Sequence, residues 1–226
     1  MKKIIVVMIW LLAIDSTFAQ TYKTPLRLAT PRISGPEVLA VQTRLIELGF
    51  SKVGSADGWF GPLTKEGVSS FQWFLGFNQT GEVDSRVWDT LFSGSMGQSD
   101  IDSAIREANT ILGLSHTKKS HDIMERSTEG GMVDQYFSNG KIAIEDFWFF
   151  GELGKVEYKV IHLANGLVVL EKEYQYPEPF DLAHAEVTNS AFYFLGKTSV
   201  KAISGKLEKS ETKDLSIYEL IGKTGT

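Results

Sequence analysis

The sequence predicts an α+β chain: a small three-helix N-terminal module, a connecting helix, then an antiparallel β-meander that forms a curled sheet or partial barrel. Three observations carry this. Apolar residues recur at spacings of three and four between Val38 and Leu91. From Met132 the period shortens to two. Two Asn-Gly pairs, Asn139-Gly140 and Asn165-Gly166, lie between β-rich runs, and Asn-Gly suits the two-residue turn whose central residues both take positive φ.

Residues 1–19 read as a signal peptide rather than as part of the fold. Lys2 and Lys3 give a positive start, Ile4 to Ile14 is an apolar run of 11 residues, and Thr17-Phe18-Ala19 offers small residues at the two inspected positions. The run is short of the roughly 20 residues that span a bilayer, and Asp15 follows it directly. A mature chain from Gln20 is expected, exported to the periplasm, cell wall or exterior, with no membrane attachment after cleavage. It would carry a net charge of −6, all of it beyond residue 92, because 20–92 holds seven residues of each sign. Nothing in this distribution is a basic footprint for nucleic acid. The chain has no cysteine, which excludes disulfides, an N-terminal lipid on cysteine and any thiolate nucleophile.

The first domain is expected at 20–97, opening on an aperiodic, extended lead-in to residue 33. Ser34 or Gly35 can cap a first helix with Pro36 at its first position. Val38, Val41, Leu45 and Leu48 line one face, and Gly49 ends it. Gly54 to Gly61 reads as loop. Pro62 opens a second helix whose stripe is Thr64, Val68, Phe71 and Leu75, stopped by Gly76. Gly67 lies inside it, which costs about 1 kcal/mol of helix propensity unless the backbone is closely packed there. Asp84 caps a short third helix with Val87, Trp88 and Leu91 on its apolar side.

The turns before helices two and three echo each other. Asp57-Gly58-Trp59-Phe60-Gly61 aligns with Thr80-Gly81-Glu82-Val83-Asp84: a glycine, a variable residue, then an apolar plug before a helix start. Together with Val41-Gln42, Leu48-Gly49-Phe50, Phe71-Gln72 and Gly76-Phe77, this ordered set resembles the small three-helix peptidoglycan-binding domain of bacterial wall hydrolases, over about Pro36 to Leu91. The departures are Gly67 where that family usually has alanine, Thr80 where an acid is frequent, and Val87 where threonine is frequent. A similar fold occurs in matrix metalloproteinase pro-segments, but this chain has neither a switch cysteine nor an H-E-x-x-H helix.

The resemblance implies a module that grips the stem peptides or glycan of peptidoglycan along a surface groove, without metal, cofactor or catalysis. Phe60, Val68, Phe71, Phe77 and Leu91 are expected in the core, and Gln72 either ties a loop or meets ligand. Trp59, the variable turn residue, and Trp73, beyond the Phe-Gln pair, are either groove residues or contacts to the rest of the chain. Asp57, Thr64 and Arg86 could add polar contacts. The Arg86 fork suits a stem-peptide carboxylate, and its alternative is a solvated first-turn residue.

A connecting helix and polar linker are expected at 98–131. Gly94 to Ser99 is a spacer, Ser99 or Asp100 a cap, and Ile101, Ile105, Ala108 and Leu112 an apolar stripe ending at Gly113, followed by a long loop to Gly131. A β domain of no recognised family follows at 132–226. Its seven expected strands are Met132–Phe137, Lys141–Phe150, Val156–Leu163, Leu167–Tyr176, Val187–Leu195, Ser199–Ser204 and Leu215–Ile221. Phe147, Trp148, Phe149 and Phe150 make either a central strand covered on both faces or an aromatic recognition face for glycan or protein.

No catalytic signature is found. There is no G-x-S-x-G elbow. His116, His121, His162 and His184 lack metal-ligand spacing, and acids such as Glu171 and Glu173, and the less ordinary pair Glu145-Asp146 beside the aromatic run, are expected on a solvated strand face. The expectation is a secreted, non-catalytic peptidoglycan-binding protein whose β domain meets another envelope protein. Two alternatives stay open: a wall hydrolase with an unrecognised site in the β domain, and an inhibitor or scaffold delivered to the wall.

Overall fold

The computed structural model describes residues 22–92, 98–123, 129–195, 198–203 and 206–209. The leader expected at 1–19, residues 94–97 of the spacer and the strand expected at Leu215–Ile221 lie outside them.

Helix α1 (Pro36–Glu47) has proline in its first turn and buries Val38, Val41, Gln42 and Leu45. Gly49, at φ +89°, lets the chain leave it. A 3-10 turn at Ser51–Val53, not expected from the sequence, buries Val53 against α2 (Pro62–Phe74). The α2 stripe of Thr64, Val68, Phe71 and Leu75 is buried throughout. Gly67 faces that 3-10 turn so closely that a Cβ there would stand 2.2 Å from Val53 Cγ2, so the glycine is a packing requirement. Helix α3 (Ser85–Phe92) is capped by Asp84, whose Oδ1 accepts from Val87 N at 2.8 Å. The lead-in is stitched across both turns, Leu26 bridging to Val83 and Ser34 to Trp59.

Helix α4 (Gln98–Leu112) starts earlier than the sequence suggested, so Ser99 and Asp100 lie in its first turn. Ile101, Ala104, Ile105 and Ala108 are buried. Asn109 Nδ2 donates to Leu48 O at 2.9 Å, closing the end of α1. Arg44 of α1 donates through Nε to Leu91 O at 3.0 Å, closing the end of α3, and pairs with Asp102 of α4.

The rest is an eight-stranded antiparallel sheet in sequence order, unclosed among the described residues. Its strands are β1 (Thr117–Asp122), β2 (Gly131–Ser138), β3 (Lys141–Gly151), β4 (Gly154–Leu163), β5 (Gly166–Gln175), β6 (Glu186–Leu195), β7 (Thr198–Ile203) and β8 (Lys206–Lys209). Six of them are the expected strands from β2 to β7. β1 falls where a loop was expected. Its six side chains are all exposed, so no apolar alternation marks it, and pairing with β2 alone makes it a strand. Asn139 and Gly140 have φ of +51° and +76°, as an Asn-Gly hairpin requires. The other hairpin is displaced by one residue. Leu163 pairs with Gly166, so Ala164 and Asn165 make the turn. Gly166 instead opens β5, where a Cβ would meet Phe194 O at 2.1 Å.

One sheet face joins the helical core. Ile161, Val168, Leu170, Ala191 and Tyr193 share a continuous apolar cluster with α1–α4. The Tyr193 hydroxyl donates to Phe74 O at the end of α2, and Glu107 of α4 accepts from Ala164 N at 2.6 Å. The opposite face holds a second cluster of Val133, Phe147, Val160, Val169, Phe192 and Phe194. The aromatic run divides between the two: Phe147 and Phe149 stack in the second cluster, while Trp148 stays partly accessible on the helix-facing side.

Candidate functional site

The two echoing turns are held by the same device. Gln42 of α1 is 1% exposed. Its Nε2 donates to Asp57 Oδ1 at 2.9 Å and Trp59 O at 3.1 Å, and its Oε1 accepts from Gly58 N at 2.8 Å. Gln72 of α2 repeats this on the second turn. Its Nε2 donates to Thr80 Oγ1 and Glu82 O, both at 2.9 Å, and its Oε1 accepts from Gly81 N at 2.8 Å. Each glutamine thus replaces the peptide partners that a buried turn would otherwise lack. Gly58 and Gly81 supply the positive φ, +74° and +71°. Thr80 substitutes for the acid of the first turn: Trp59 N donates to Asp57 Oδ1 and Glu82 N to Thr80 Oγ1.

This frame presents Trp59. Its backbone is fixed by the bridge to Ser34 and the bond to Gln42, while its side chain is 51% exposed. Leu39 and Leu63, in the first turns of α1 and α2, are exposed as well. Asp57 accepts from Trp59 N and from Gln42, which together hold its carboxyl below the usual carboxylate range. Thr64 is 2% exposed and its hydroxyl accepts from Gln42 at 3.0 Å. Asp57, Trp59 and Thr64 therefore meet through one amide.

Arg86 follows the second turn, in the first turn of α3. It is exposed, stands 5.7 Å above the Phe77 ring, and reaches Asp84 at 3.6 Å. With Gln72, Phe77, Thr80 and Asp84 it lines a cavity of about 180 Å³. Trp73 is elsewhere, half-buried against the core where α2 faces the sheet. Gln42 was visible in the sequence only as a motif member, whereas Gln72 was expected either to tie a loop or to meet ligand, and it ties the loop. The apolar-Gln dipeptide repeated as Val41-Gln42 and Phe71-Gln72 was the signal for their shared role.

In the sheet, Glu145 is 1% exposed and bonded to Gln135 Nε2 and His162 Nε2, both at 2.9 Å. His184 pairs with Asp181, and His116 stands edge-on to Tyr136. Among the described residues no group of three or more histidines and acids is placed to hold a metal ion. No helix among them is long and apolar enough to cross a membrane.

No curated protein matches the chain. Among solved structures it is similar to a fused Zn-dependent amidase/peptidase/peptidoglycan-binding domain-containing protein from Clostridium acetobutylicum ATCC 824. The identity is 19%, over 65% of this chain and 80% of that one, with a TM-score of 0.30, a likeness too slight to carry an argument. Residues 34–91 match a family model described as a putative peptidoglycan binding domain. That segment spans the three helices and both glutamine-held turns, and it is a peptidoglycan-binding domain of that family, about a quarter of the chain.

Proposed function

We propose that this protein is an exported, non-catalytic wall protein, held on peptidoglycan by its helical module and presenting its sheet there to another envelope protein. The observation that carries the reading is the match of residues 34–91, in which paired glutamine clamps hold the turns and leave Trp59 outward. Trp59 lies against the sugar rings or the aliphatic stems of the wall, since a flat indole face takes C–H groups. Arg86 reaches stem-peptide carboxylates from the rim of its cavity. Asp57 and Thr64 act behind Trp59, fixing the turn from which it projects.

The test is co-sedimentation of the whole chain with insoluble peptidoglycan. The wild-type protein is expected in the pellet. Trp59→Ala should weaken binding about tenfold, an ordinary loss for a central aromatic anchor, with thermal unfolding unchanged. A wild-type chain left in the supernatant removes the proposal. A Trp59→Ala chain that unfolds without cooperativity assigns this side chain to the core instead.

A further inference from the structure

Twelve large apolar side chains are exposed among the described residues, and five of them, Phe150, Leu153, Phe180, Leu182 and Val187, stand at one end of the sheet. At this end β3 turns into β4, and residues 176–185 lead from β5 into β6. Two backbone bonds fasten the two connections together. Tyr176 N donates to Leu153 O at 2.9 Å, and Phe180 N donates to Glu152 O at 2.8 Å. The register sets Phe150 beside Lys155, Lys155 beside Tyr174 and Tyr174 beside Val187. The apolar patch therefore runs from the tied connections onto one row across four strands.

Single exposed apolar residues are ordinary, but a gathered group marks a contact surface. Leu153 and Phe180 are the most exposed of the twelve, at 62% and 66%. Phe180 also has φ of +62°, a backbone conformation that a bulky side chain adopts only at a cost. Glycine would hold the same bend without strain, so the fold alone does not call for a phenyl ring there.

The border of the patch is acidic. Segments 150–157 and 171–187 hold seven acids against two lysines, an excess of five that equals the formal net charge of the whole chain, −5. Lys155 is already engaged, 2.6 Å from Glu157 and 4.2 Å from the centre of the Tyr174 ring. His184 is held by Asp181 at 2.8 Å. Glu152, Glu178 and Glu186 are exposed beside the apolar side chains and form no ion pair among the described residues. An apolar centre with an acidic border answers a surface whose border is basic. A second copy of the chain would set acids against acids, and an anionic bilayer would do the same.

We infer that this end of the sheet is a docking surface for a basic protein segment that carries apolar side chains. Resting on the reading above, the partner is the envelope protein that the sheet meets, and its contact segment is rich in lysine or arginine.

The experiment titrates the full chain, in a calorimeter, with a blocked peptide of alternating lysine and leucine and with its twin in which glutamate replaces every lysine. The lysine peptide is expected to bind, more weakly as salt rises, and the glutamate twin is not. Phe180→Gly is expected to raise the Kd about tenfold while Tm stays level or rises, because glycine takes the bend freely. Leu153→Ser, on an exposed turn, is expected to raise the Kd to a similar extent. Glu178→Gln combined with Glu186→Gln is expected to weaken binding and flatten its salt dependence. Equal binding of the two peptides overturns the basic partner. Wild-type affinity in Phe180→Gly and Leu153→Ser, or no binding of the lysine peptide at millimolar concentration, overturns the surface. Self-association in sedimentation equilibrium, or binding to phosphatidylglycerol vesicles, overturns the assigned occupant if Leu153→Ser abolishes it. Failure of the wild type to sediment with insoluble wall sinks the anchoring reading alone, because peptide binding is read without wall.

Discussion

Gln42 and Gln72 sit 1% and 3% exposed, and neither could be replaced by another residue of similar size. An alanine at 42 would leave Gly58 N without its partner and Trp59 O with only the long bond from the Thr64 hydroxyl at 3.5 Å. Unsatisfied groups of this kind cost about 1–3 kcal/mol each. Gln42→Ala is expected to lower the unfolding free energy by roughly 2–3 kcal/mol in a denaturant titration, with Gln72→Ala close to it. Gln42→Glu should be worse, because a carboxylate would face the carboxylate of Asp57 and the Trp59 carbonyl. A loss below about 0.5 kcal/mol for the alanine variant would mean that water takes over the amide's bonds.

Among the elements, α2 states most clearly how packing overrides propensity. Gly67→Ala should gain about 1 kcal/mol of helix propensity. It must also push a methyl into Val53, a stiff β-branched side chain held by its 3-10 turn, and overpacking costs about 1–3 kcal/mol. The expected net result is a less stable protein, read as a lower Tm, and a raised Tm would show that the 3-10 turn gives way freely. The sequence offered close packing as one reason for this glycine but not the partner, because Val53 lies in a segment with no periodic signal. The same limit explains the other differences. α1 to α3 were legible because each carries an apolar stripe with a proline or aspartate start and, for α1 and α2, a glycine stop. β1 was illegible because an edge strand with six exposed side chains has no pattern to read. The Asn165-Gly166 turn moved because Gly166 answers to a carbonyl on β6, a contact remote in sequence. In the site, Trp59 stood out as the variable residue between glycine and plug. Of the glutamine clamps, the Gln72 loop tie to Thr80, eight residues on, was one of two expected roles, while the Gln42 clamp went unread because it reaches Asp57 across 15 residues.

At the scale of the whole molecule, the helices and one sheet face share a single apolar cluster. Heat or denaturant should therefore melt helix and sheet signals together. Tyr193 tests the join. It is fully buried, and its hydroxyl donates to the carbonyl of Phe74. Tyr193→Phe is expected to cost about 1–2 kcal/mol and to leave a single transition by far-ultraviolet circular dichroism and tryptophan fluorescence alike. Two separated transitions in the wild type would show that the cluster is not a cooperative unit.

Asn109 and Tyr193, both later in the chain, hold the ends of α1 and α2. An anchor fastened in this way has no loose shoulder about which the strands could swivel. If the tryptophan turn is the part that seats on murein, as proposed above, that seating also settles the bearing of the outer strand face. A visiting protein would then find it turned in one direction only.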